Sequence, residues 1–289
     1  MRGARAGLRL SRAASAPMST VRPRRAAVLG SPVAHSLSPR VHRAAYDALG
    51  LVGWRYDAVE CDTSRLPALL AGLDETWAGL SLTMPLKRAA LRAAAGASDL
   101  ARAVGAANTL LPHGAGWYAE NTDVAGIEQA LRSAGVHRVE AAVVLGAGGT
   151  AQAVLAALAR LGAPAPTVLV RDVGRTVDLI AAAQRLGCAP VVRSWPDVLP
   201  AGWDVLVSTV PAGAADGLAG GPWPAPGVLL DVVYAPWPTR LAEGATAAGL
   251  AVVLGGVEVL LHQAAEQVRL MTGHPAPLPA MRAALARRE

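Results

Sequence analysis

The 289-residue chain has no phenylalanine, one lysine (Lys87), two asparagines (Asn108 and Asn121) and two cysteines (Cys61 and Cys188). The cysteines stand alone, without CxxC spacing or a neighbouring His/Cys cluster, which excludes a disulfide framework and a cysteine-based zinc site. They read as reduced thiols of a cytoplasmic protein. No run of about 18 apolar residues occurs, so no membrane-spanning helix is expected. Acidic residues are missing from positions 1–25, where seven arginines stand (Arg2, Arg5, Arg9, Arg12, Arg22, Arg24 and Arg25). Taking those seven from the formal charge of +6 leaves −1 for residues 26–289. A basic chain ordinarily raises nucleic acid or an anionic membrane as partner. Here the body is close to neutral, and neither is expected. The same arginines interrupt every apolar stretch of the N-terminus, which excludes a signal-peptide core and leaves the composition of a transit peptide. Met18 offers an alternative start of translation. Residues 1–24 are expected to form a disordered Arg-rich extension.

What is present points to a globular protein. Apolar residues make up 53% of the chain and charged residues 17%, far from a disordered composition. At about 150 residues per domain the length suits two domains. All but one of the 27 basic residues are arginine. Arginine keeps its charge, whereas lysine can give up a proton. Lys87 is therefore a candidate for proton chemistry, against the plainer reading of a lone surface residue.

Strands and helices alternate along the chain. Ala26–Gly30 reads as a buried strand, Ser38-Pro39 as a helix N-cap followed by Pro at the first helical position, and Gly50 as the stop of a helix ending near Leu49. Trp54–Val59 is a second strand, Thr63–Leu73 a helix and Ala78–Thr83 a third strand, which together predict α/β architecture. A helix over Thr122–Ala134 leads to the strand Ala141–Leu145, which meets Gly146-Ala147-Gly148-Gly149-Thr150-Ala151 and a helix to about Leu161. This is the G-x-G-x-x-G/A dinucleotide fingerprint, with a strand before it and a helix after it. The first glycine permits the tight turn, the second lets backbone approach a pyrophosphate, and the helix N-terminus offers unpaired N–H groups to the anion. The competing reading is an ordinary glycine turn.

The following strand, Thr167–Val170, ends in Arg171-Asp172-Val173-Gly174-Arg175, where an adenine ribose would be read. Arg171 and Arg175 favour the 2′-phosphate of NADP, while Asp172 argues for the 2′-hydroxyl of NAD. Strands at Asp204–Ser208, Val228–Val233 and Leu250–Leu254 continue this half of the chain to about Gly255. Gly255-Gly256 then opens a helix whose apolar positions Val257, Leu260, Leu261, Ala264 and Val268 follow helical spacing. Gln263 lies off that stripe, on a face read as solvated.

Four separated motifs occur in order: GSPVAHSLSP (30–39), SLTMPLK (81–87), GAANT (105–109) and ENTD (120–123), followed by the glycine loop and an HQAA helix (262–265). Together these resemble the shikimate dehydrogenase family over nearly all of residues 26–289. The resemblance implies a substrate-binding catalytic domain at 25–124, an NADP-binding Rossmann-type doubly wound domain at 125–255, and C-terminal helices at 256–289 that pack back on the substrate domain. It implies NADPH-dependent reduction of 3-dehydroshikimate to shikimate, a step of chorismate and aromatic amino acid biosynthesis, by a monomer or homodimer. The residues it singles out for substrate are Ser36, Ser38, Thr83, Asn108, Tyr234 and Gln263. The fingerprint and the end of the following strand give Gly146, Ala147, Gly148, Gly149, Thr150, Arg171 and Arg175 as candidate cofactor residues, with Val232 and Gly256 beside them.

Chemistry supports the pairing of Lys87 with Asp123. A ketone that becomes an alcohol needs hydride on carbon and a proton on oxygen, and an ammonium can donate that proton while a carboxylate orients it. The competing reading is a surface salt bridge. The chain departs from the family's common pattern at Ser81 (usually asparagine), Val124 (usually glycine), Val170-Arg171-Asp172 (commonly NRT) and Ser208-Thr209 (commonly NxT). Two alternatives remain at this stage: a quinate/shikimate dehydrogenase preferring NAD, and a non-catalytic metabolite-sensing regulator whose tail contacts nucleic acid.

Overall fold

The computed structural model describes residues 23–195, 198–224 and 226–286, so the expected N-terminal extension lies outside the described residues except for Pro23 and Arg24. The end of the arginine run is structural. Arg24 donates to the carbonyls of Thr76 and Trp77 at 3.2 and 2.8 Å, and the Arg25 guanidinium lies 4.6 Å from the centre of the Trp77 ring.

The first half of the chain builds β1 (Arg25–Gly30), α1 (Ser38–Ala48), β2 (Arg55–Glu60), α2 (Leu66–Ala71), β3 (Trp77–Leu82), α3 (Lys87–Ala93), β4 (Gly96–Ala97), α4 (Asp99–Val104), β5 (Thr109–His113) and β6 (Gly116–Glu120). These six strands form one sheet in the order β2-β1-β3-β5-β6-β4, with β5 antiparallel to both its neighbours. β3 is buried along its whole length, as expected of a central strand covered on both faces.

α5 (Asp123–Ser133) leads into the second sheet, made of β7 (Ala142–Leu145), α6 (Gly149–Arg160), β8 (Thr167–Val170), α7 (Val177–Leu186), β9 (Val191–Ser194), β10 (Val205–Ser208), β11 (Val228–Asp231), α8 (Arg240–Ala247) and β12 (Val252–Gly255). All its pairs are parallel, in the order β12-β11-β10-β7-β8-β9. This is the doubly wound arrangement with its switch point between β7 and β10, where ligands of such sheets bind. α9 (Gly256–Thr272) and α10 (Leu278–Ala286) then leave this sheet and pack on α1, with α9 also lying along α5.

The close approach of α5 and α9 depends on a missing side chain. A Cβ on Gly126 would stand 2.8 Å from the Gln263 Cβ and 2.9 Å from the Val259 carbonyl. Glycine here lets the two helices approach, and so brings the start of α5 alongside the middle of α9.

Several expectations need correction. Ser38 is not the N-cap of α1: Leu37 holds that position and no side chain caps the helix, while Pro39 sits in its first turn. The helix expected over Thr63–Leu73 shrinks to Leu66–Ala71, because the Asp62 carboxylate closes a turn by accepting from the Ser64 N–H, the Ser64 hydroxyl and the Arg65 N–H at 2.7–3.0 Å. The β5–β6 hairpin is an addition to the expected elements, although its two-residue turn has Gly114 at φ 57° in the first central position. On α9, Leu261, Ala264 and Val268 are buried as expected, but Val257 and Leu260 are half-buried, and Val259, Gln267 and Met271 lie inside. A helix enclosed on several sides has no single apolar stripe.

Candidate active site

A cavity of about 300 Å³ opens where the two sheets face each other, and it is lined by ten of the residues singled out above: Ser36, Ser38, Thr83, Lys87, Asp123, Thr150, Val232, Tyr234, Gly256 and Gln263. Side chains from β3, α3, α5 and α9 and from the loop after β1 meet here, although up to about 230 residues of sequence separate them.

Lys87 and Asp123 form the centre of the polar wall. Each is the first residue of its helix, and the Lys87 ammonium donates to Asp123 Oδ2 at 2.6 Å. Only 20% of the lysine side chain and 10% of the aspartate side chain are exposed, which distinguishes the contact from a surface salt bridge. The N-terminus of α5 favours the carboxylate through the helix dipole. The other oxygen, Oδ1, accepts from the Asn108 amide at 2.8 Å.

Asn108 does not line the cavity; it lies behind the lining and holds it together. Its amide N–H groups face Asp123, Thr122 Oγ1 (2.9 Å) and Gln263 Oε1 (3.0 Å), while its Oδ1 accepts from the Thr122 backbone N–H (2.7 Å) and the Thr109 hydroxyl (3.0 Å). Asn121, the second asparagine, is buried and holds the backbone by donating to the Ala106 carbonyl at 2.8 Å. Gln263 is therefore engaged with the site and is not part of a solvated face.

Ser36, Ser38 and Tyr234 also line the cavity. The Ser36 hydroxyl oxygen accepts from the Ser38 N–H at 3.3 Å, tying the two serines into one turn. The Ser38 side chain does not cap the helix and is hydrogen-bonded with Tyr56. Burial pushes the Tyr234 hydroxyl's pKa up, which keeps it a proton donor. The loop that carries Val232 and Tyr234 is anchored by the buried Asp231, whose carboxylate accepts from the Thr239 hydroxyl (2.8 Å) and the Val233 N–H (3.2 Å). Burial also raises the Asp231 pKa.

The glycine loop crosses the switch point. Gly146 has φ 103°, and a Cβ on it would come within 2.7 Å of Thr209 Oγ1 at the end of β10. That threonine is fixed by its own hydroxyl, which donates to the Leu145 carbonyl at 2.7 Å. Gly148 is the N-cap of α6, has no capping side chain, and faces open space, so nothing obstructs the N–H groups of that first turn. Ala151, the small third residue of the fingerprint, is fully buried against the sheet. These features fit a dinucleotide phosphate. Arg171 and Arg175 are exposed at the end of β8, while Asp172 uses Oδ1 to accept from the Gly174 N–H at 2.8 Å and cap a short 3₁₀ turn. Gly256, at the head of α9, lies against the Val232 carbonyl, where no Cβ could fit.

Two polar residues of the site, Tyr56 and Gln267, are missing from the sequence-based expectations, and Ser81 figures there only as a departure from the family's asparagine. Ser81 and Gln267 line the cavity. The Tyr56 hydroxyl donates to Ser81 Oγ at 2.5 Å, and the Ser81 hydroxyl donates to Gln267 Oε1 at 2.8 Å. Gln267 lies one helical turn beyond Gln263, a spacing that places both on one side of α9. That spacing is the available signal.

Comparison with known proteins follows the same geometry. A family model described as the shikimate dehydrogenase substrate binding domain matches residues 28–110, and one described as the shikimate 5′-dehydrogenase C-terminal domain matches residues 256–286. A shikimate dehydrogenase (NADP(+)) of Halobacterium salinarum is 39% identical over 280 residues, covering 90% of this chain and 98% of that one. The chain belongs to the shikimate dehydrogenase family. Among solved members, the shikimate dehydrogenase of Mycobacterium tuberculosis is 45% identical, with a TM-score of 0.82 over 91% of this chain and 99% of that one. The enzyme of Thermus thermophilus, solved in complex with NADP(H) and shikimate, is 35% identical with a TM-score of 0.78, over 90% and 98% of the two chains. In this shikimate dehydrogenase family member, the first matched stretch carries Ser36, Ser38, Thr83, Lys87 and Asn108, and the second carries Gln263.

Proposed function

We propose that the chain catalyses the reversible NADPH-dependent reduction of 3-dehydroshikimate to shikimate, within chorismate and aromatic amino acid biosynthesis. The Lys87–Asp123 pair carries this reading: a largely enclosed ammonium, 2.6 Å from a carboxylate, on the wall of a cavity of about 300 Å³. Gly146, Ala147, Gly148, Gly149 and Thr150, with Arg171, Arg175, Val232 and Gly256, would hold the dinucleotide. When bound, NADPH supplies the hydride.

The protein's own residues do the rest. Ser36, Ser38 and Tyr234 supply hydroxyl donors to the cavity, suited to the substrate carboxylate. Lys87 donates a proton to the ring oxygen as the ketone becomes an alcohol, and in the reverse direction the neutral amine takes that proton back. Asp123 orients the ammonium and accepts from the neighbouring ring hydroxyl, held in place by Asn108. Thr83 and Gln263 also line the cavity, where ring hydroxyls need partners. We assign substrate binding to residues 25–124, cofactor binding to 125–255 and the returning helices to 256–289.

Exposed Arg171 and Arg175, with Asp172 capping its own turn, support NADP over NAD. The enclosed acid/base pair supports an enzyme over a metabolite-sensing regulator. We place the protein in the cytoplasm as a monomer or homodimer. Two buried free cysteines are consistent with a reducing compartment. Among the described residues no helix is long and apolar enough to cross a membrane. Purified protein assayed with shikimate or quinate and NADP or NAD tests the proposal. The highest kcat/KM is expected for shikimate with NADP; absence of turnover in all four combinations would sink it.

A further inference from the structure

Beneath the cavity a chain of hydrogen bonds runs from β2 to the acid/base pair, and its direction is fixed at every link. Burial pushes the pKa of the Tyr56 hydroxyl well above its usual range, so this oxygen keeps its proton and donates it to Ser81. Ser81 must then donate onward to Gln267 Oε1. With its oxygen so assigned, Gln267 turns its amide N–H groups to the Thr109 hydroxyl oxygen at 3.0 Å and the Asn108 carbonyl at 3.3 Å. A flipped Gln267 amide would set two carbonyl oxygens against each other at that second contact. Thr109, having accepted from Gln267, has its own proton free for Asn108 Oδ1.

We propose that Gln267 is a positioning residue for the reaction: through Thr109, and alongside the Thr122 backbone N–H that donates to the same oxygen at 2.7 Å, it holds the Asn108 amide the way round that keeps an N–H donor on Asp123. An amide carries a donor on one side and an acceptor on the other. If Asn108 turned over, its oxygen would face Asp123 Oδ1 and the oxygen of Gln263, two acceptors it now satisfies. The carboxylate that orients Lys87 would then lose its fixed partner. Gln267 is wholly buried, and its amide spans three partners from two different strands, β3 and β5, and the residue preceding β5. The kinetic consequence rests on the dehydrogenase reading above; the structural consequence does not.

The scarcity of asparagine supplies the test. Protein labelled with ¹⁵N-asparagine has only two side-chain NH₂ pairs, from Asn108 and Asn121. In Gln267→Met, of similar length but without amide groups, the Asn108 pair should shift and lose exchange protection while the Asn121 pair stays in place. On the kinetic side kcat should fall roughly 10-fold with KM for the cofactor unchanged, since misplacement affects the chemical step. Thr109→Val breaks the next link and should do the same, and serves alone if Gln267→Met does not fold. The double variant should be no slower than the slower single, because both act through one chain. A merely structural Gln267 would instead lower Tm with kcat per folded molecule and the Asn108 pair unchanged. An unmoved Asn108 pair in both variants, or kcat losses that multiply, overturns the proposal. If the unsubstituted protein does not turn over shikimate, the functional reading fails, and the NH₂ spectrum still decides the positioning.

Discussion

The two sheets prepare their share of the cavity by different physical means. On the first-sheet side, recognition is built from side chains: Lys87, Asp123, Asn108, Gln263 and Gln267 are joined in a network in which almost every polar atom has a partner. On the second-sheet side it is built from backbone, with Gly146 and Gly148 at the switch point and the uncapped first turn of α6. Side-chain networks discriminate among small polyhydroxylated acids, because each unmatched hydroxyl leaves a buried partner unsatisfied. A backbone cradle binds a phosphate common to many ligands and discriminates little. In the proposed reading, choice on that side falls to the exposed arginines at the end of β8.

The sharpest break in this comparison is Lys87→Ala. It removes the proposed proton donor while leaving the glycine loop untouched. We expect kcat to fall about 10³-fold, the scale of general acid catalysis, with KM for NADPH unchanged in steady-state assays. A variant that keeps wild-type kcat would refute the assigned role.

Acid should also separate the two halves. His42 is fully buried against Tyr56, with ring centres 3.9 Å apart. Its Nδ1 donates to the Ser38 carbonyl at 2.9 Å, and its Nε2 has no partner. Burial pushes its pKa down to about 4. The unfolded chain binds a proton near the reference value of about 6.5 and the folded chain does not. Stability is therefore full above pH 6.5, falls as the pH drops towards 4, and levels off below; the loss is about 3 kcal/mol, taking 1.36 kcal/mol per unit. His262, also lowered by burial, acts in the same direction. Asp231 on the second sheet has the opposite sign: its raised pKa favours folding in acid, and this contribution fades as the pH climbs past its folded value. Hydrogen exchange at pH 5 should thus rise around α1 and β2 before it rises around β11. His42→Leu should flatten the acid limb of a Tm-against-pH curve; an unchanged limb would remove His42 from the account.

Two glycines allow the halves to be perturbed in parallel. Gly126→Ala sets a methyl against Gln263 and the Val259 carbonyl, while Gly146→Ala forces a side chain into φ 103° beside Thr209. Each should cost about 2 kcal/mol of stability. Their kinetic signatures should diverge. Gly126→Ala separates Asp123 from Gln263 and should raise KM for shikimate, whereas Gly146→Ala should raise KM for NADP. Matching signatures would show that the two faces of the cavity are not independent.

Much of this division is legible in the sequence, and for physical reasons. The strand Thr167–Val170 and the α6 segment are readable because a doubly wound sheet demands short apolar runs and glycine turns, which are local patterns. Lys87 is conspicuous because every other residue of the Lys/Arg set is arginine. What stays hidden depends on contacts distant in sequence. Gln267 looks like one more polar residue on a helix, and only the packing of α9 against β3 and β5 reveals a buried amide with three partners. Ser38 misleads for a related cause. A serine before a proline is a strong local cap signal, but the turn that Ser36 makes with Ser38 carries the chain into α1 one residue earlier.

The smallest expected effect concerns the arginines. Arg171 and Arg175 stand in solvent, so removing either costs little stability, and an exposed charge on a flexible side chain binds a phosphate modestly. We expect Arg171→Ala or Arg175→Ala to raise KM for NADPH about 10-fold, equivalent to about 1.4 kcal/mol, and to leave KM for NADH and for shikimate unchanged. Asp172 sharpens the assignment. Because one of its oxygens already caps the turn at Gly174, Asp172→Ala should loosen that turn and disturb the arginines on either side of it. If Asp172 reads the ribose of NAD instead, Asp172→Ala would raise KM for NADH and spare NADPH. The two assignments predict opposite cofactor dependence for one substitution, which makes steady-state kinetics with both cofactors sufficient to choose between them.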